Sequence, residues 1–143
     1  MERKHWTLLV IDEARPGSLS PLQIQKTLFL ISKNLPDEVG ADFYQFVPYN
    51  YGPFDSDVYS DVRILVNEGL VAKVQVIGRS WVSYEITPEG HETATAIRPQ
   101  ISERASQYIA KVVRWVESVT FTQLLSAIYR EYPEYKAKSV FIG

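Results

Sequence analysis

The stretch LVAKVQVIGRSWVSYEI, residues 70–86, constrains the fold more than any other part of the chain. Up to residue 69 the apolar residues recur at helical spacing; here they switch to alternation. Ala72, Val74 and Val76 oppose Lys73, Gln75 and Ile77, and Val82, Tyr84 and Ile86 oppose Trp81, Ser83 and Glu85. Gly78, Arg79 and Ser80 lie between the two runs as a turn. This pattern predicts a two-stranded hairpin. An isolated hairpin is marginal in water, so this one must be packed on helices.

The helices are marked by local start and stop signals. A first helix over 4–14 carries Trp6, Leu9, Val10 and Ala14 on one stripe, before Pro16 and Gly17 break it. The next opens on SPLQ, with Ser20 as N-cap, Pro21 in the first helical position and Gln23 completing a capping box. Ile24, Leu28, Ile31 and Leu35 form its apolar face, and Pro36 is expected to stop it. Residues 43–47 read as a short extended piece, followed by a loop that Pro48, Gly52 and Pro53 keep out of regular structure. Asp55 or Ser56 caps a third helix with Val58, Val62, Leu65 and Val66 inward, ending at Gly69. After the hairpin, Thr87 and Pro88 start a helix that runs to about 97. A long helix over 101–119 follows, then one opened by the Thr120/Gln123 capping box, with Phe121, Leu124, Leu125 and Ile128 inside and Pro133 as its end.

This order (helix, helix, extended piece, helix, hairpin, helix) is the layout of a winged helix-turn-helix. The expected fold class is mainly α with a small β-hairpin. It forms a single domain over 1–143, with a core over about 4–97 and a C-terminal helical extension over about 101–132. A chain of 143 residues that is 45% hydrophobic has enough apolar material for one real core. There is no cysteine, which excludes disulfides, thiolate metal sites and cysteine nucleophiles. No apolar run is long enough for a signal sequence or a membrane span, so a cytoplasmic location is expected. Residues 1–69 hold six Lys and Arg against ten Asp and Glu, the reverse of the basic footprint of a nucleic-acid binder.

Catalytic motifs are missing. His5 and His91 lie in polar helix starts, and no nucleophile elbow, metal-ligand spacing or phosphate loop accompanies them. The reading is of a protein that is not an enzyme and carries neither cofactor nor metal.

Two motifs stand out together. SPLQIQKTLFLI is similar to the Gln-Lys helix of the SocA-like, or Panacea-domain, family, and YNYGPFDSDVYSDVRILVNEGLV resembles that family's Tyr-Gly-Pro loop leading into a helix. The likeness covers residues 20–71, and the matching positions are Gln25, Lys26, Tyr51, Gly52 and Pro53. It implies an antitoxin or adaptor that acts by binding another protein, in a toxin-antitoxin or defence setting. For this role the candidate partner-binding residues are Lys26, Tyr49, Asn50, Tyr51, Asp55 and Asp57, with the acids meeting a basic site on a toxin or effector. From the residues alone, two questions stay open. The rings of 49–54 either pack inward or form an exposed platform, and Lys26 either snorkels or pins the Tyr-Gly-Pro loop.

The alternative is a winged-helix DNA-binding transcriptional regulator using Arg63, Asn67, Lys73 and Arg79. Against it, the helix beginning near Asp55 is expected to expose Asp55, Asp57 and Asp61, which face phosphates with the wrong sign. A third reading is an accessory subunit of a larger complex. Tyr132, Tyr135 and Phe141, with Trp115, are read as a strip through which the C-terminal helices form a homodimer.

Overall fold

The computed structural model describes residues 1–75, 77–78 and 81–140, so Val76, Arg79, Ser80 and Phe141 lie outside the described residues. The protein is mainly helical, with two small antiparallel two-stranded sheets.

Helix α1 (Arg3–Glu13) buries every residue from Trp6 to Asp12. The one-stripe expectation is corrected here: α1 is the central strut, contacted by α2 (Pro21–Asn34), α4 (Ser56–Asn67), α5 (Pro88–Ile97) and α6 (Glu103–Ser118). Its inward polar groups are satisfied, as burial demands. The Thr7 hydroxyl lies 2.7 Å from the Tyr44 hydroxyl. Asp12 accepts from Arg98 at 3.0 Å and lies 2.7 Å from His91 Nδ1.

Helix α2 begins as its sequence dictates. Ser20 Oγ accepts from Gln23 N, and the Gln23 side chain accepts from Ser20 N. Pro36 does not simply end it but opens a short helix, α3 (Pro36–Val39), since proline suits a first helical position.

Residues 43–46 form no strand; Phe43 and Tyr44 are core residues instead. The expectation that prolines exclude regular structure from the following loop is also corrected. Strands β1 (Val47–Tyr49) and β2 (Gly52–Phe54) make a tight hairpin, paired Val47 to Phe54, Pro48 to Pro53 and Tyr49 to Gly52. Opposed residues in an antiparallel ladder alternate between bonded and unbonded pairs. Two prolines facing each other at an unbonded pair leave no donor unmet.

Asp55 caps α4, and Gly69, at φ +78°, turns the chain out of it. Strands β3 (Val71–Gln75) and β4 (Val82–Ile86) follow, with Lys73 opposite Tyr84. Leu19 bridges to Tyr84 and adds a third, one-residue strand. The winged-helix order of elements is therefore present. The turn between its second and third helices is replaced by residues 35–55, containing α3 and the β1–β2 hairpin.

Thr87 caps α5, and Ser102 caps α6 through the Ala105 amide. Thr120 and Gln123 form the expected capping box of α7 (Phe121–Glu131). Both C-terminal helices supply core residues, among them Ile109, Val113, Val116, Leu125 and Ile128, so they build the same core as α1 and α2. Phe121, expected inside, is 40% exposed. Tyr132 and Tyr135 meet the ring of buried Phe29 edge-on at 5.1 and 4.7 Å. Both remain half-buried, and Tyr132 lines a surface recess with Trp115, which is 37% exposed. No helix among the described residues is long and apolar enough to cross a membrane.

Candidate functional site: an anchored aromatic hairpin beside a basic groove

Two successive residues of α2 hold the β1–β2 hairpin in place. Gln25 donates to Asp55 O at 2.8 Å and accepts from Asp55 N at 3.2 Å. Lys26 Nζ donates to Pro53 O at 3.0 Å. Lys26 is only 1% exposed, so it does not snorkel; it pins the loop. Burial pulls its amine from the ordinary 10.5 down to about 8. Enclosed in this way, Lys26 meets no partner surface and acts through the hairpin it fixes. Gly52, at φ +87°, lets the backbone approach α7; a Cβ there would lie 3.2 Å from Leu125 and 3.5 Å from Lys26 Cε. Asp55 Oδ1 accepts from Asp57 N at 2.8 Å and Oδ2 from Gln45 N at 2.7 Å, which secures the hairpin's base.

The rings divide between inside and outside. Gly52 and Pro53 are buried, Phe54 is half-buried, and Tyr49 and Tyr51 are 49% and 43% exposed. Tyr49 stacks on Phe54 with centroids 4.8 Å apart, and Phe54 meets Tyr59 of α4 at 5.6 Å. Tyr51 leans on Phe121 at 5.7 Å. The Asn50 carbonyl, at the hairpin tip, accepts from Val140 N at 2.9 Å. Side chains of Tyr are favoured at interfaces because the ring buries area while the hydroxyl remains satisfied. Phe121 was missed as part of this surface. It shares the helical spacing of Leu124 and Leu125, and nothing in its local sequence marks it as outward.

The expected acidic face is largely absent, because the acids are engaged within the fold. Asp55 is spent on the cap. Asp61 is 6% exposed rather than solvent-facing: it takes two bonds from Arg3, at 2.9 and 3.2 Å, and one from the Tyr44 hydroxyl at 2.6 Å. The paired carboxylate holds the Arg3 proton more firmly than usual, and burial with Asp61 keeps the Tyr44 phenol neutral well above its normal range. Asp57 remains exposed but pairs with Arg3 at 3.3 Å, and Glu68 pairs with Lys4 at 3.1 Å.

Arg63, Asn67 and Lys73, the alternative DNA-contact set, are brought together. They line a groove of about 550 Å³ between α4 and the β3–β4 hairpin, with Tyr59 and Tyr84. Arg79 lies outside the described residues. His5 accepts from the Glu2 amide at the start of α1, and His91 lies against Asp12; both have structural partners. Among the described residues no group of three or more His, Cys, Asp or Glu is placed to hold a metal ion.

No known family model matches the chain, and no curated protein matches it either.

Proposed function

We propose that this chain is a non-catalytic recognition module that binds another protein through the β1–β2 hairpin, with Tyr49, Asn50 and Tyr51 as its leading contacts. The observation that carries this reading is a tip of exposed tyrosines on a base fixed by Lys26, Gln25 and Asp55. Such preorganisation lowers the entropy lost on docking. The resemblance of residues 20–71 to SocA-like adaptors supports the same assignment and the toxin-antitoxin or defence setting. With Asp55 and Asp61 engaged in the fold, the contact is aromatic rather than acidic, and Asp57 stands at its margin.

A photo-cross-linking amino acid placed at Tyr49 or Tyr51 in the source cell tests this. One protein species should be captured at both positions and not at Lys111 on α6, and Tyr49→Ala should abolish its retention by the purified chain. Equal capture from Lys111 would overturn the reading.

The DNA-regulator alternative draws on the groove that gathers Arg63, Asn67 and Lys73. Duplex affinity that falls steeply with salt and is lost in Arg63→Ala would support it.

A further inference from the structure

Helix α4 sorts its charges by flank. Asp57, Asp61 and Glu68 share one stripe, spaced i, i+4 and i+11, and all three are paired with Arg3 or Lys4 of α1. Tyr59, Arg63 and Asn67 share the opposite flank, spaced i, i+4 and i+8, and face the β3–β4 hairpin. Across the groove stand Lys73 and Tyr84, directly opposed in the strand register, with Pro21 at one end. Arg63 and Lys73 are the charged residues of the lining; no described carboxylate lines it. Arg63 has a long 3.5 Å contact with Ser60 Oγ, and neither cation pairs with a described acid.

Two unmatched cations beside two phenols and an apolar wall select an anion carried next to an apolar or aromatic group. Burial raises the Tyr59 phenol above its ordinary range, so it remains a neutral donor beside such an anion. Duplex DNA fits less well. Its affinity comes from neutralising several phosphates, and the described groove offers two cations. Tyr59 also meets Phe54, which stacks on Tyr49, so a run of ring contacts links the groove wall to the exposed hairpin. An extended segment seated in the groove can reach on to these rings.

We propose that the groove between α4 and the β3–β4 hairpin binds an acidic peptide segment of the partner protein, its carboxylates on Arg63 and Lys73 and a neighbouring apolar side chain against Tyr59 and Tyr84. This rests on the protein-recognition reading above and specifies the partner's chemistry.

Fluorescence anisotropy with the full chain tests it. The probes are synthetic peptides in which Glu alternates with Leu and Trp, the same peptides with Lys for Glu, and a duplex oligonucleotide. The acidic peptides should bind about tenfold or more tightly than their Lys counterparts, and Arg63→Glu or Lys73→Glu should each weaken them about tenfold. Lys111→Ala, on α6 and outside the groove lining, should change the affinity of a groove-length peptide by less than about twofold. Equal binding of acidic and basic peptides, or a duplex held more tightly than either and lost in the same variants, would overturn the proposal. Acidic-peptide binding lost in Tyr49→Ala and retained in Arg63→Glu would remove the groove while leaving the hairpin platform in place.

Discussion

Replacing Lys26 by Met separates the two effects of its burial. The ammonium donates to Pro53 O, and a hydrogen bond to a charged group contributes about 1.5–3 kcal/mol. Against this, lowering the amine from 10.5 to about 8 makes its charged form about 3 kcal/mol less favourable in the fold than in the unfolded chain. Near neutral pH the two nearly cancel, so Lys26→Met should shift global stability by less than about 2 kcal/mol. The pH dependence does not cancel. Below about 8 the folded chain keeps the proton and bears the full cost. Between about 8 and 10.5 the folded chain releases it while the unfolded chain retains it, so stability rises with pH. Integrating that difference gives about 2 kcal/mol gained between roughly pH 7.5 and 9.5. Urea unfolding of both proteins across this window should show wild type gaining on Lys26→Met by that amount, with other titrating groups subtracting out. Hydrogen exchange at the β1–β2 amides should quicken in the variant, since Pro53 O has lost its donor. Parallel stability curves would refute the assignment of a buried, proton-bearing anchor.

Arg3→Ala leaves the buried Asp61 carboxylate without its counter-ion, held only by the Tyr44 hydroxyl, and should cost about 2–3 kcal/mol by chemical denaturation, with Asp61→Asn in the same chain restoring part of it. Gly90→Ala places a Cβ 1.8 Å from Leu70 O, a backbone clash; the variant should lose about 4 kcal/mol or fail to fold, read by circular dichroism. Gly52→Ala combines a left-handed φ of +87° with a 3.2 Å approach to Leu125, and should lower the urea midpoint by an amount equivalent to about 2 kcal/mol.

Elements whose cause is local were legible in the sequence. The capping boxes at Ser20 and Thr120, the stop at Gly69 and the β3–β4 hairpin all depend on neighbours a few residues away, and they form where expected. What escaped is set by distant contacts. Helix α1 looked one-sided because its inward Thr7 and Asp12 are polar, and their partners Tyr44, His91 and Arg98 lie far along the chain. Asp61 looked exposed for the same reason, since its partner Arg3 is 58 residues away. The β1–β2 hairpin was hidden by a rule applied without register: Pro48 and Pro53 are tolerated because they face each other. Of the site, the Lys26 anchor and the outward Tyr49 and Tyr51 were both among the readings left open. The balance of charge on α4 was not, because it depends on which flank α1 covers.

That division on α4 has a consequence for how such a chain can diversify. The residues that keep the helix seated and those that address the groove occupy separate sides and share no partner. Sequence drift at positions 63, 67 and 73 can therefore change the charge and shape of the groove while leaving the ion pairs to Arg3 and Lys4 in place. A lineage built on this frame is free to redecorate that flank without first acquiring surplus stability.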